Sequence, residues 1–135
     1  MGISILCLSD NRRLIIGHPN DPWSDALSDS FVALLSAFDA ADLRHAEVIA
    51  GRLLARGCLE FCCVGPAAEQ LHDLLDGLVE DLGAFDVVTT WEVDPIEACE
   101  YFLFAAAGKP STLLALVAAH PDLVASLESE ALQQS

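Results

Sequence analysis

One tryptophan is surrounded by carboxylates in the second half of the chain. Glu92, Asp94, Glu97 and Glu100 follow Trp91 closely, and no basic residue lies among them. An aromatic side chain ringed by acids is typical of a surface that binds Lys and Arg side chains of another protein. The alternative is structural, with the Trp closing one end of the core and the acids capping a helix or facing water.

Two further residues are candidates for the same kind of surface. Glu69 follows a turn that is expected at the same edge of the fold as Trp91. Trp23 stands between Asp21 and Asp25 in a loop that contains two prolines, and it would supply a second aromatic anchor. The alternative for Trp23 is a plug over the core. We therefore predict a partner-binding surface, and we assign no catalytic residue, no metal ligand and no cofactor.

A helical stretch carries the residues of an alternative function. Glu69, His72 and Asp76 fall within reach of one another at helical spacing, as a divalent metal site or an acid–base pair requires. Further ligands would be needed, and the HExxH motif is absent. The simpler interpretation is a solvated helix face. A small enzyme or ligand-sensing domain that uses Glu69, His72 and Glu92 is kept as the alternative function.

The cysteines do not form a recognisable reactive or metal-binding motif. They lie at positions 7, 58, 62, 63 and 99, without a C-x-x-C pair. The adjacent Cys62 and Cys63 would point to opposite faces of a strand. A reactive thiolate needs positive surroundings, and no Lys or Arg lies between Arg56 and Lys109. We expect buried free thiols.

The turn at Gly65-Pro66 connects a predicted strand to a predicted helix. A phosphate cradle at such a turn needs several glycines and free backbone N–H groups. This turn has one glycine, a proline without an N–H group, and the carboxylate of Glu69 nearby. We therefore do not expect a nucleotide-binding site here.

Charge restricts the class of partner. The chain has 21 acidic and 6 basic residues, a net charge of −15, and Lys109 is the sole basic residue after Gly57. Nucleic acid and anionic membranes are excluded as expected partners, because binding them requires Lys and Arg. The remaining candidates are a basic protein such as a toxin, a second copy of the chain in a homodimer, and a larger assembly joined through the apolar residues 101–104. The alternative is a soluble, self-repelling surface.

Length and composition favour a single folded domain over residues 1–135. The chain is 53% hydrophobic, enough to form a full core. No uncharged run approaches the ~20 residues that span a bilayer, and the N-terminus lacks the basic region of a signal peptide. We expect a cytoplasmic protein.

Hydrophobic periodicity predicts alternating strands and helices. Strands are predicted at 3–8, 13–17, 58–64 and 85–91, the first two forming a hairpin whose second strand lies on the sheet edge. Helices are predicted from Ser24 or Asp25 to Phe38, from Asp39 or Asp42 to Gly57, and at 71–82, 95–108 and 123–132, followed by a frayed tail. Residues 112–117 fit a strand or a helix, and the alternation favours a strand.

This order of elements predicts the fold class and the position of a site. We expect an α/β fold: a single three-layer domain with a mostly parallel sheet of about four to five strands, helices on both faces and an N-terminal hairpin. In such folds, ligands bind beyond the carboxyl ends of the strands. Residues 65–69 and 91–97 are both expected at that edge.

Two stretches carry a resemblance to a known group of proteins. The sequences FCCVGPAAEQLHDLLD (61–76) and VVTTWE (87–92) resemble a family of small uncharacterised bacterial α/β proteins. This resemblance implies an α/β fold and no catalytic residues. In size, acidity and lack of an active-site motif, the chain also resembles bacterial immunity proteins that neutralise nuclease or deaminase toxins. That second likeness is one of physical character without a shared motif, and it implies a function as an immunity or antitoxin-type inhibitor.

Overall fold

The computed structural model describes residues 2–27 and 30–133. Within them, strands and α-helices alternate after an N-terminal hairpin. The strands are β1 (Ser4–Cys7), β2 (Arg13–Ile16), β3 (Phe31–Ser36), β4 (Cys58–Val64), β5 (Val88–Glu92) and β6 (Thr112–Leu116). The helices are α1 (Ala40–Ala55), α2 (Ala68–Asp81), α3 (Pro95–Phe104) and α4 (Pro121–Gln133). No helix in these ranges is long and apolar enough to cross a membrane.

The strands form one mixed sheet in the order β1-β2-β6-β3-β4-β5. Only β1 and β2 are antiparallel; the other neighbours are parallel. The predicted α/β class, the mostly parallel sheet and the hairpin are confirmed, and the sheet has one strand more than the upper predicted number. The predicted hairpin orientation was wrong. Strand β1 occupies the edge, whereas β2 is internal because its other side pairs with β6.

The helix predicted from Ser24 or Asp25 to Phe38 was wrong, apart from residues 28 and 29, which lie outside the described residues. A short 3-10 helix (Trp23–Ala26) is followed by β3, which pairs with β4 and β6 in the middle of the sheet. Every residue of β3 is buried. A strand buried on both faces has no polar alternation, so its apolar residues also fit a helical repeat.

Helices cover both faces of the sheet. Helices α1 and α2 pack on one face, together with Trp23 and the inward side chains of β3 and β4. Helices α3 and α4 pack on the other face. From β3 the chain moves outward through β4 to β5, and α3 then returns it to β6 on the opposite side of β3. The strand order therefore reverses between β3 and β6.

The helix boundaries follow the predicted capping signals closely. Asp39 caps α1 by accepting the N–H of Asp42 at 2.9 Å, and Gly57 ends that helix region with a φ of 103°. Asp94 caps α3 by accepting the N–H of Ile96 at 3.0 Å. Three boundaries differ from prediction by three residues or more: α2 begins at Ala68, β5 begins at Val88, and α3 ends at Phe104 before a 3-10 turn at 106–108. Residues 112–117 contain strand β6, as the alternation favoured.

Gly65, the single glycine of the β4–α2 turn, has a structural explanation. Its φ is 126°, and a Cβ placed on it would lie 2.7 Å from the carbonyl oxygen of Ala37. That same oxygen accepts the N–H of Ala67 at 2.9 Å. The glycine therefore permits close packing of two backbone segments at the ends of β3 and β4.

We expect Gly65→Ala to lower the free energy of unfolding by about 3 kcal/mol, because strained backbone and a steric clash add together. Gly77→Ala is the matched control, since a Cβ at this exposed position of α2 meets no atom within 4 Å. The control should stabilise the protein by about 1 kcal/mol through helix propensity. Urea denaturation of both variants measures the difference, and equal stability of the two would contradict this role of Gly65.

Candidate functional site

A cavity of about 210 Å³ lies between β4, β5 and the start of α3. Glu92 is the last residue of β5, and Glu97 lies in the first turn of α3. The cavity is thus at the edge of the sheet formed by the carboxyl ends of the parallel strands. Its walls are formed by Cys62, Cys63, Thr90, Trp91, Glu92, Glu97, Ala98 and Tyr101.

The structure brings together Trp91, Glu92 and Glu97 from the set predicted from the sequence. Trp91 is 44% exposed. Glu92 is partly buried and accepts the backbone N–H of Asp94 at 3.1 Å. Glu97 is exposed. Asp94 is exposed but uses its carboxylate to cap α3. The cavity therefore has an aromatic residue and two carboxylates in its walls, with a third carboxylate close by in sequence.

Glu69 and Glu100 belong to the same acidic region without lining the cavity. Glu69 is exposed in the first turn of α2, and Glu100 is exposed on α3. Both carboxylates add negative potential around this part of the molecule.

Trp23 does not present a surface to a partner. Its side chain is fully buried, its Nε1–H donates to the carbonyl oxygen of Pro19 at 3.0 Å, and the guanidinium of Arg52 lies 4.9 Å from the ring centroid. The prediction of Trp23 as a second anchor is therefore corrected. The proline-flanked loop carries the indole into the core over α1, which is the structural alternative considered from the sequence.

A buried carboxylate behind the cavity organises its walls. Glu60 of β4 is 1% exposed and has no Lys or Arg partner in the described residues. Its Oε2 accepts the hydroxyls of Tyr101 at 2.7 Å and Thr90 at 2.8 Å. Its Oε1 accepts the N–H of Ala107 at 3.0 Å, a residue with a φ of 45°. Glu60 therefore connects β4, β5, α3 and the turn that follows α3.

The sequence reasoning missed Glu60, Thr90 and Tyr101. The signal for Glu60 was a single carboxylate within the otherwise apolar strand CLEFCCV. Charged residues are almost never fully buried unless their polar atoms have partners. A buried strand with one acid therefore predicts hydrogen-bond donors nearby, although it does not say which residues supply them.

The thiols near the cavity are unsuited to nucleophilic chemistry. Burial, followed by the negative charge of Glu60, raises the pKa of Cys62 well above its ordinary value. Burial also raises the pKa of Cys63 to about 12. Cys62 and Cys63 face opposite sides of the sheet, as expected, because they belong to the two different cores. Four of the predicted buried thiols are buried, whereas Cys7 is exposed on β1.

The hydroxyl of Tyr101 is held as a hydrogen-bond donor. Burial, and then the neighbouring Glu60 carboxylate, raise the pKa of Tyr101 above its ordinary value. The phenol therefore remains protonated around neutral pH and donates to Glu60. The residue lines the cavity with its ring while its polar end stays bonded within the wall.

The alternative site on α2 has little support in the geometry. His72 contacts Asp73 at 3.1 Å and Asp76 at 3.4 Å, whereas Asp76 also accepts the hydroxyl of Thr89. Glu69 is not among these contacts. Within residues 2–27 and 30–133, no group of three or more His, Cys, Asp and Glu side chains has the arrangement of a metal site.

The residues 101–104, considered from the sequence as an assembly interface, are mostly used within the fold. Phe102 and Leu103 are fully buried in the core between α3, α4 and the sheet. Phe104 is partly buried, and the guanidinium of Arg12 lies 5.9 Å from its ring centroid. The apolar side of α3 therefore covers the sheet, which corrects the expectation of an interface.

Exposed apolar side chains concentrate in the stretch of the chain that contains β5 and the first part of α3. Of the 12 large hydrophobic residues exposed in the described part of the chain, seven lie between residues 82 and 101. They are Leu82, Phe85, Val88, Trp91, Val93, Ile96 and Tyr101. The same range holds five acids and no Lys or Arg. We call residues 82–101 the β5–α3 surface; it includes β5, an edge strand of the sheet.

Comparisons with known proteins identify a family for the chain. A search of curated proteins finds no match. A family model described as "Domain of unknown function (DUF7684)" matches residues 6–132. This agrees with the resemblance to an uncharacterised family noted from the sequence. The match covers nearly all of the chain, from within β1 to the last turn of α4, and the chain therefore belongs to the DUF7684 family.

Proposed function

We propose that the chain is a cytoplasmic protein-binding module that takes a basic partner protein on its β5–α3 surface. The observation that supports this most strongly is that seven of the 12 exposed large hydrophobic residues lie within residues 82–101, a stretch that also carries five acids and no Lys or Arg. Contiguous apolar surface with a polar rim is characteristic of protein interaction sites. The negative charge of these acids favours a partner protein with a positively charged surface.

Electrostatics favour a partner that acts on nucleic acid. A protein with net charge −15 attracts a basic surface at long range and accelerates encounter. Proteins that bind nucleic acid carry such surfaces, because they neutralise phosphates with Lys and Arg. The carboxylates of Glu92, Asp94 and Glu97 would occupy the positions of phosphates. An immunity or antitoxin-type inhibitor of a nucleic-acid-targeting toxin is the specific role that we propose.

The cavity would receive one side chain of the partner. A Lys or Arg side chain has an apolar stem and a charged end, and the cavity offers the ring of Tyr101 and the carboxylates of Glu92 and Glu97. Trp91, which is exposed on the edge strand and lies in the cavity wall, would supply apolar contact beside it. Aromatic anchors at the centre of an interface commonly carry much of the binding energy.

A second copy of the chain is a less favourable occupant of this surface. Two copies would each bring the same acidic surface to a symmetric interface. Like charges opposed across an interface cost several kcal/mol. We therefore favour a basic partner protein of different sequence over the homodimer, which the composition of the chain also allowed.

We expect a selection from a display library of random peptides to enrich sequences in which Lys or Arg flanks an apolar residue. The triple variant Glu92→Gln, Asp94→Asn, Glu97→Gln should bind the enriched peptides at least about tenfold more weakly at low salt. Asn can cap a helix as Asp does, so the variant keeps the start of α3. Binding is measured by fluorescence anisotropy at two salt concentrations.

A matched control separates a specific surface from general acidity. The triple variant Asp25→Asn, Glu47→Gln, Asp73→Asn removes the same charge from exposed residues of the 3-10 helix, α1 and α2. It should retain most of the affinity. Enrichment of neutral or acidic peptides, or equal losses in the two triple variants, would refute the proposed function.

A further inference from the structure

A crevice lies beyond the carboxyl ends of the two central strands, and it meets the β5–α3 surface at Pro95. Strands β3 and β6 are neighbours, and the chain leaves β3 into α1 on one face and leaves β6 into α4 on the other face. The two departing segments open a gap between them. In α/β folds, a gap at such a reversal of strand order is a preferred position for ligands.

A histidine and a buried carboxylate meet at this position. His120, which follows β6, has its Nε2 2.7 Å from Oδ2 of Asp42 in the first turn of α1. Asp42 is 7% exposed, and the same oxygen accepts the N–H of Phe38 at 2.9 Å. This carboxylate oxygen of Asp42 is therefore held by two hydrogen-bonding partners. In a neutral imidazole, Nε2 carries the proton donated to Asp42, so Nδ1 is left as a hydrogen-bond acceptor.

An open cleft of about 380 Å³ adjoins this pair. Its apolar walls include Phe38, Pro95 and Leu123, and its polar walls include His120, Asp122 and Ser126. The ring of Phe38 lies 4.6 Å from the ring of His120, and the His120 side chain keeps 21% of its surface exposed. The volume falls within the range of about 300–1,000 Å³ found for small-molecule sites.

The charged side chains in the walls of the cleft determine which charge a bound ligand can carry. Among the described residues, no Lys or Arg lines the cleft, and the exposed Asp122 carboxylate lies in its wall. An anion would be repelled. A protonated amine could donate to Nδ1 of His120, be attracted by Asp122 and contact the face of Phe38 through a cation–π interaction. We propose that this cleft binds a small organic cation, an ammonium group joined to an apolar body, at a site that shares no lining residue with the cavity beside Trp91.

Three probes with one carbon skeleton test the proposal: 2-phenylethylamine, 2-phenylethanol and phenylacetate. Each is titrated into ¹⁵N-labelled protein and followed by backbone NMR. We expect the amine to give saturable shifts around Phe38, His120 and Ser126, with a Kd of about 1 to 10 mM for a ligand of this size. The alcohol should bind more weakly, and phenylacetate should give no saturable shift there.

Variants with matched charge changes complete the test. His120→Ala should abolish the saturable shifts. If the NMR spectrum shows that His120→Ala is not folded, Asp122→Asn tests the proposal instead. This substitution at an exposed residue should weaken amine binding about threefold. Glu128→Gln removes the same charge from α4 outside the cleft and should leave the Kd unchanged. Equal binding of phenylacetate, shifts of the amine elsewhere on the protein, absence of saturation, or equal effects of the two charge variants would each overturn the proposal.

Discussion

Raising the pH from about 8 to about 10.5 should remove about 6 kcal/mol of the free energy of unfolding. Burial raises the pKa of Cys58, Cys63 and Cys99, each from an ordinary value of 9.0 to about 12. Between these values the unfolded thiols lose their protons while the folded thiols keep them. Because the folded state then binds more protons, stability is complete below pH 9.0 and falls as the pH rises toward 12. Each thiol contributes about 2 kcal/mol by about pH 10.5.

Such a loss is comparable to the whole stability of many domains, so we expect cooperative unfolding in this alkaline range. Urea denaturation at several pH values, with a reductant present, measures the dependence. Cys63→Ala should make the fall of stability with pH shallower. Cys7→Ala removes the exposed thiol and is the matched control, which should leave the slope unchanged. A free energy of unfolding that stays constant to about pH 10.5 would contradict this account of the buried thiols.

Glu60→Ala should lower the free energy of unfolding by about 3 kcal/mol or more, because it leaves three donors of partly buried hydrogen bonds without their charged acceptor. Those donors are the hydroxyls of Thr90 and Tyr101 and the N–H of Ala107. Since they belong to β5, α3 and the following turn, the walls of the cavity should loosen as well. Equilibrium denaturation gives the stability, and hydrogen exchange of residues 88–107 reports the local loosening.

Glu60→Gln is the conservative comparison. The amide oxygen can still accept the N–H of Ala107 and the amide NH2 can donate to a hydroxyl oxygen in place of Oε2, so we expect a cost of about 1 kcal/mol. Glu69→Ala, at an exposed acid of α2, should change stability by less than about 0.5 kcal/mol. If Glu60→Ala were as harmless as Glu69→Ala, the network around Glu60 would not organise this part of the fold.

Local sequence signals were sufficient for most of the fold. The caps at Asp39 and Asp94, the left-handed Gly57 and the apolar run of β4 each depend on neighbouring residues, and each matches the structure. The hydrophobic alternation of strands and helices gave the layered architecture. These features could be predicted because their causes lie within a few positions of one another.

The central strand β3 could not be predicted in the same way. Its sequence FVALLS is buried on both sides, so the polar residues that reveal a period of two are missing. Its apolar residues also fit a helical stripe made of Leu27, Phe31, Leu34 or Leu35, and Phe38. Pairing with β4 and β6 decides the outcome, and these partners lie far away in the sequence.

The candidate site was predicted in part for a similar reason. Trp91, Glu92 and Glu97 come from one short stretch, so their proximity followed from a strand that leads into a capped helix. Glu60 and Tyr101 are 41 residues apart, and Asp42 and His120 are 78 residues apart. These pairs depend on strand order, which the sequence pattern left open. Trp23 was misassigned because a loop residue can point inward as readily as outward.

The most direct test of the account is to locate a bound basic ligand on the protein. Backbone NMR shifts are recorded while the tightest peptide from the random library is added to the unmodified chain. We predict that the largest shifts fall on residues 88–97, that Trp91→Ala reduces affinity at least about tenfold, and that binding weakens as salt is raised. Shifts centred on α1, α4 or the β1 edge, with residues 88–97 unaffected, would contradict the claim that the β5–α3 surface is the functional surface.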